Sequence, residues 1–461
     1  MARGMQAEIA TGDGQYWDAG LETAPWQEVE RQQAAGVARM LEGLRDRSAL
    51  YRRLHADLPA GAPLRTFSDL QALPFTYKAD IGAALDATDD NRPFGENQCA
   101  GTEDIVQILA SSGTTGRPFH YPLTRRDSEV WADAVAQNFF TAGLRPSDIV
   151  AHLVGLPMVA GGLPYADGIR RIGATLCWLG GFPTERILRE MCRLRATAFL
   201  STTSFAVYLA EQMPAIAVET GVAPRLRTAL CGGEPGLNQP EIRERISTGL
   251  GLTRLSEMMG LGDVLSGLWA ECACGDGMHF TAQRYVAVEL IDPETGAAVP
   301  WQEGATGELV YTTFAREAAP VVRYRSRDHA VVTGTGCACG RTAPRIRCIG
   351  RTDDMLIYKG MNVFPSAIRD LVAEQFAGRA APLVQVWKDS RDQVRFDVPI
   401  AVDVEAVEEL PGAAQAALAG EIEAAIRSRL QVRVAVTVLS AGGLPRGVYK
   451  NSLIAVRDSA H

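Results

Sequence analysis

The sequence predicts an α/β body over residues 1–349 followed by a small α+β unit over 350–461. Three observations predict it. Between about 100 and 340, strand-like runs (IVQILA, DIVAHLV, ATAFLS, RTALCGG, GELVYTTF) alternate with helical patterns, as in βα-type folds. After IGRTDD at 349–354 the character changes. The last hundred residues then carry elements of their own. Val394, Phe396, Val398 and Ile400 alternate as in a half-buried strand, Leu418, Ile422, Ala425 and Ile426 share one helix face, and Val432, Val434, Val436 and Val438 alternate again.

Taken in order, residues 1–80 read as mainly helical and end in LPFTYKADI, where Lys78 and Asp80 open a further helix. The body follows, and the joint near Gly350 is short and polar. Two units meeting at such a joint suggest a cleft with movable walls. The 461 residues are 47% apolar and 22% charged, with a formal charge of -8. That balance fits a soluble globular chain and argues against a nucleic-acid partner. No run approaches the length of a membrane-spanning helix, and MARGMQAEIATGDGQYW has no apolar core for a signal peptide. Nine cysteines over a long chain speak against a disulfide framework, so a reducing cytoplasm is the expected location.

Residues 108–124 read ILASSGTTGRPFHYPLT. Glycines let backbone N–H groups approach phosphate oxygens, and Ser111, Ser112, Thr114 and Thr115 add hydroxyl donors around Gly113 and Gly116. The nucleotide-triphosphatase P-loop is excluded, because it needs GK[ST] at a helix start. Here Arg117-Pro118 and a strand follow, so the loop closes a hairpin.

With SSGTTGRP stand CGGEPG (231–236), LSEMMG (255–260), YRSRD (324–328), GRTDD (350–354) and LPRGVYK (444–450). In that order they resemble the adenylate-forming superfamily. LPFTYKADI, SEMMGLG, RYRSRD, CACGR and DDMLIYKGMNVFPSAI look like its phenylacetate–CoA ligase branch, from about residue 50 to 455. The resemblance implies a multi-sheet N-terminal adenylation body and a small mobile C-terminal domain. It also implies a reaction in two halves. A carboxylate attacks ATP at the α-phosphorus, giving acyl-adenylate and pyrophosphate; CoA then takes the acyl group, releasing AMP. An alternative acceptor would be an amine, a hydroxyl or a carrier-protein thiol. A homologue that binds without turnover is a third reading.

The resemblance assigns roles residue by residue. The 111–116 loop holds the departing phosphates. Gly233, Glu234 and Pro235 line the adenine site. Asp328 accepts the ribose hydroxyls, as a carboxylate can, and Arg351, in GRTDD, also belongs to the nucleotide site. Glu257 helps hold Mg2+; its bland reading is a solvated helix glutamate. Lys450 bridges the attacking carboxylate and the α-phosphate, and Asp353 is the hinge. Swinging about that hinge presents either Lys450 or the stretch around Lys359-Gly360. Two departures stand out: Thr253-Arg254 replaces an aromatic-Gly pair, and Tyr449 replaces glycine. Either the Arg254 guanidinium stacks on adenine or the base is held less tightly.

Cys272-Ala273-Cys274, His279 and Cys337-Ala338-Cys339 form a second constellation. Soft thiolates with an imidazole suit tetrahedral Zn2+ that clips one strand region to another. Relatives with ECxxxxxxH and a later CxCG favour Cys272, His279, Cys337 and Cys339 as the set, with Cys274 in place of His279 as the alternative.

The acyl pocket is expected from residues 152–180, 231–234 and 258–262. Leu156, Pro157, Met158, Tyr165, Met258, Met259, Gly260 and Leu261 make a flat apolar slot, suited to an aromatic carboxylate of the phenylacetate, benzoate or aminobenzoate type. His152 could touch a ring substituent, although a lone histidine is more often satisfied within the fold. The expected partners are an aryl acid, ATP and CoA, with a homodimer as the candidate assembly.

Overall fold

The computed structural model describes residues 14–58, 64–110, 119–155, 158–234, 237–351, 356–359, 361–390, 393–445 and 453–457. An eleven-stranded sheet runs through the body. Its parallel half orders Thr175–Trp178, Ile149–His152, Ala198–Ser201, Thr228–Gly232 and Arg254–Leu261 side by side. The antiparallel half continues through Leu265–Glu271, Met278–Phe280, Arg345–Arg351, Tyr324–Gly334, Thr306–Thr313 and Val286–Ile291.

Helices link the parallel strands, and their ends follow local chemistry. Arg125–Ala142 opens on a capping box of Thr124 and Asp127 and stops at Gly143 in the left-handed region. A side chain at Gly143 would strike the Arg254 guanidinium. The expected Lys78 helix is present as Lys78–Asp86, its first turn fixed by Tyr77 N donating to Asp80 Oδ2 at 2.8 Å.

The SSGTTGRP segment lies outside the described residues, but both flanks are described. Ile105–Ala110 and His120–Thr124 pair antiparallel, with Ala110 opposite His120, so the loop does close a hairpin.

Residues 356–454 bury a core of their own, from Leu356 and Ile368 to Ile422 and Val438. A four-stranded sheet and a three-stranded sheet frame it. Leu418, Ile422 and Ile426 do share the buried face of the Gly412–Leu430 helix. The 394–400 alternation is broken, however. Strand covers only Arg395–Phe396 and resumes at Ile400–Ala406, and Val394 and Val398 are exposed. Pro399 has no N–H to offer a ladder, which makes it a strand border rather than a strand interior.

Candidate active site and metal cluster

In parallel sheets, ligands gather at the carboxyl ends of the strands. Thr228–Gly232 ends there and runs into Gly233 and Glu234, and in the neighbouring strand Cys231 is in register with Glu257 and Gly232 with Met258. Two motifs far apart in sequence therefore lie side by side. Glu257 sits on the Arg254–Leu261 strand rather than on a helix. Its backbone N–H donates to Glu271 Oε2 at 2.9 Å, and Arg243 Nη2 reaches that same oxygen at 2.6 Å. Burial first, and the Glu271 charge second, lift the Glu257 carboxyl to about 7, against the pull of Arg243, Arg347 and Arg369.

Asp328 is buried, opposite Arg351 on the adjacent strand, with Arg351 Nη1 3.4 Å from Asp328 Oδ1. Just before it the strand pairing shifts between Glu308 and Val310, and Arg327 adopts φ 66°. Such an irregularity re-aims the following side chain. Cys348 lies on the strand that pairs with the one carrying Asp328, and its thiol is pushed to about 12 by burial first and then by the Asp328 charge.

Other predicted residues have occupied side chains. Glu234 Oε1 accepts the Ser204 backbone N–H at 2.5 Å, at the start of the Thr203–Thr220 helix. Arg254 donates to Thr141 O at 2.7 Å and to Ser256 Oγ at 3.2 Å, holding the end of the Arg125–Ala142 helix. Its guanidinium is committed there, which removes the expectation that it stacks on adenine. Pro235, Asp353, Gly360 and Lys450 lie outside the described residues, as do Ser111, Ser112, Gly113, Thr114, Thr115 and Gly116.

The acyl-pocket residues are distributed over two cores. Met258 and Tyr165 pack with Phe139 and Val135 in one, while Met259 and Leu261 pack against another with Tyr121 and Trp269. Gly260 is required where the strands draw together, since a Cβ would fall 1.8 Å from Ser266 O. Met158 is 48% exposed, and its carbonyl accepts Ala110 N–H at 2.8 Å, tying this segment to the base of the hairpin. Leu156 and Pro157 are outside the described residues. A separate cleft of about 530 Å³, lined by Arg47, Cys99, Thr124, Arg126 and Glu317 among others, contains none of the predicted site residues.

His152 is fully buried, stacked on Trp178 at 4.7 Å, with Nε2 3.0 Å from Gly162 O and Nδ1 accepting Val154 N–H. Burial lowers its pKa from 6.5 to about 4, so the ring is neutral at pH 7. The unfolded chain binds this proton below about pH 6.5 and the folded chain only near 4, so stability falls as pH drops through that window. The contribution over the whole window is on the order of 3 kcal/mol. Chemical denaturation of His152→Gln should show a shallower loss between pH 7 and pH 5 than the wild type; an equal loss would assign the acid sensitivity elsewhere.

Cys272, His279, Cys337 and Cys339 bring their ligand atoms within 4.8 Å of one another. Cys272 Sγ lies 3.7 Å from Cys337 Sγ, and Cys339 Sγ lies 3.5 Å from His279 Nε2. His279 Nδ1 is 3.1 Å from Ala343 O, which puts the ring proton on Nδ1 and turns the Nε2 lone pair to the sulfurs. Cys274 is exposed and is not in the cluster. The N-terminal segment hangs on the same turn, through Tyr16 Oη and Gln15 Nε2 donating to Cys339 O and through the buried Arg341–Glu22 pair at 2.6 Å.

Sequence reasoning missed Arg243 and Glu271, which fix the Glu257 backbone, and Asp370, whose carboxylate accepts from Asn238 and Gln239. EIRER and IRDLV read as ordinary helix charge patterns, so no local signal marks Arg243 or Asp370; Glu271 stands in ECxxxxxxH but was passed over beside the cysteines.

Fold and site together define an AMP-forming acid-activating enzyme. Residues 33–313 match the AMP-binding enzyme family. The phenylacetate–coenzyme A ligase of Thermus thermophilus is 34% identical over 76% of this chain and 76% of its own. That of Escherichia coli is 30% identical over 92% and 94%. Among solved structures, a 2-hydroxyisobutyryl-CoA ligase in the postadenylation state with its acyl-AMP is 25% identical. It superimposes with a TM-score of 0.84, covering 97% of this chain and 93% of that one. The same enzyme in the thioesterification state, with acyl-AMP and CoA, gives 0.68 at 26% identity over 96% and 93%. The chain belongs to the phenylacetate–CoA ligase family of AMP-binding enzymes. It is an ATP-dependent, AMP-forming acid–CoA ligase that works through an acyl-adenylate. No helix among the described residues is long and apolar enough to cross a membrane.

Proposed function

We propose that the acid is a phenylacetate-like ring carboxylate and that its activation is divided between two domains, 1–349 and 350–461. The observation that carries this reading is the register that sets Glu257 beside Cys231, at the carboxyl end of the strand running into Gly233 and Glu234, together with the buried Asp328 paired with Arg351. In the proposed roles, the N–H groups and hydroxyls of residues 111–116 cradle the departing phosphates, and Gly233-Glu234-Pro235 borders adenine. Asp328, steadied by Arg351, accepts the ribose hydroxyls. Lys450 neutralises charge between the incoming carboxylate and the α-phosphate, and the chain pivots at Asp353 once the adenylate has formed. Positioning and charge neutralisation suffice for such a displacement. The better superposition on the postadenylation state supports reading the described arrangement as the adenylating one.

Glu257 fits a divalent cation, since a carboxyl raised first by burial and then by the neighbouring Glu271 gains from a positive charge. When bound there, Mg2+ would shield the phosphate oxygens. The Cys3His cluster fits Zn2+ in donor type, in number and in its anchored imidazole. Four protein ligands leave no open position, so that site is structural.

The test is ATP–pyrophosphate exchange across phenylacetate, benzoate, aminobenzoates and aliphatic acids, followed by CoA-dependent AMP release. Ring acids should lead the panel and CoA should draw the adenylate forward. Preference for a short aliphatic acid would overturn the substrate reading. Adenylate that CoA fails to consume would favour the amine, hydroxyl or carrier-thiol acceptors.

A further inference from the structure

We propose that Asp370 is a positioning residue for the adenylation half-reaction, a latch that holds the C-terminal unit against the turn behind Glu257. This rests on the two-domain reading above. Asp370 belongs to the Pro365–Gln375 helix, in the unit with its own core. Its Oδ2 accepts Asn238 Nδ2 at 3.1 Å and its Oδ1 accepts Gln239 Nε2 at 2.5 Å. Both donors lie in the body, on the turn leading into the Pro240–Leu250 helix. Arg369 Nε donates to Asp370 Oδ1 at 2.9 Å and so helps aim the carboxylate.

The gripped turn is rigidly joined to the candidate site. Arg243, one turn along that helix, donates to Leu237 O, to Leu255 O at 3.0 Å and to Glu271 Oε2 at 2.6 Å. Glu271 in turn accepts the Glu257 N–H. A continuous chain of hydrogen bonds therefore runs from the mobile unit's helix through Asn238 and Gln239, Arg243 and Glu271 to the strand carrying Glu257. Arg369 also acts on Glu257 directly, as one of the positive charges lowering its carboxyl. Both interactions belong to this orientation of the helix and would be given up when the unit swings away. Near Gly350 the units meet again, where Ser366 Oγ donates to Ile349 O at 2.8 Å and the His329 and Phe364 rings lie 5.4 Å apart.

Hydrogen bonds to a charged group are among the stronger ones, so losing two should disfavour this orientation about ten- to hundredfold. The experiment compares the partial reactions in the full chain for Asp370→Ala and, from the other side, for an Asn238→Ala/Gln239→Ala double variant. ATP–pyrophosphate exchange should fall about ten- to hundredfold in both. Thioester formation from CoA and chemically prepared phenylacetyl-adenylate should be undiminished, and combining all three substitutions should add little further loss. Exchange within about twofold of wild type in Asp370→Ala, or equal losses in both half-reactions, would overturn the latch. Lys450→Ala, run alongside, tests the parent reading separately. Retained exchange in that variant would remove the role of Lys450, whereas the selective pattern in the Asp370 variant would still be judged on its own.

Discussion

Lys450→Ala is expected to lower ATP–pyrophosphate exchange by about a hundredfold or more while sparing thioester formation from supplied acyl-adenylate. The magnitude follows from removing one fixed charge from a site where negative charge crowds during phosphoryl displacement. Lys450 lies outside the described residues, but the chain on either side is tethered. Leu444 is buried, and its N–H donates to Glu405 Oε2 at 3.1 Å. Leu453 O accepts Val386 N–H at 2.8 Å, just before Ile454–Val456 pairs parallel with Ala380–Lys388. In the proposed mechanism these flanks move with the C-terminal unit, and the lysine serves one half-reaction and is withdrawn for the next. Lys450→Arg keeps the charge but spreads it over a planar fork, and it should recover only part of the exchange. Exchange within about fivefold of wild type in Lys450→Ala would leave neutralisation to other groups and sink the assignment.

How much of this was legible beforehand depends on whether the signal was local. Strand runs such as ATAFLS and GELVYTTF appear as Ala198–Ser201 and Thr306–Thr313, because their apolar runs are buried within one sheet. The hairpin around SSGTTGRP was legible from its strand-like flanks, which pair in a two-stranded sheet of their own although Val106 and Ile108 are exposed. The 394–400 alternation misled, since exposed Val394 and Val398 mimic a period that Pro399 interrupts. Apolar pocket residues were the least legible. Nothing in the letters tells Met258, packed beside Tyr165, from Leu261, which fills a different core. Arg254 was drawn to the adenine site by its position beside LSE. Its actual partner, Thr141 O, is 113 residues away and is created only by the helix end docking there. The Asp370 contacts span 131 and 132 residues and exist only because two separately folded units meet. Chemistry-bearing residues within one motif were readable; the long-range pairs that hold them were not.

The metal cluster carries the other large effect. Cys272→Ser is expected to abolish bound zinc and to destabilise the protein by roughly 4 kcal/mol or more, as losses of structural metal sites do. The reason lies in connectivity. Cys272 follows the Leu265–Glu271 strand, His279 lies in Met278–Phe280, and Cys337 and Cys339 come from the turn after Tyr324–Gly334. One ion would close three stretches of chain at once, including a contact 65 residues long between Cys272 and Cys337. The N-terminal segment should loosen as well, because Tyr16 and Gln15 both rest on Cys339 O. Cys274→Ser is the control: an exposed thiol outside the cluster should leave metal content intact and stability within about 0.5 kcal/mol. Elemental analysis of protein purified without chelator, paired with thermal unfolding, separates the cases. About one zinc per chain, lost with Cys272 and kept without Cys274, fixes the Cys3His set. Loss of metal in Cys274→Ser would instead restore the set in which it replaces His279. Zinc-free wild type with an unchanged melting curve in Cys272→Ser would reduce the cluster to four packed side chains, and the joining of the three segments would then rest on the strand pairing and the Arg341–Glu22 ion pair.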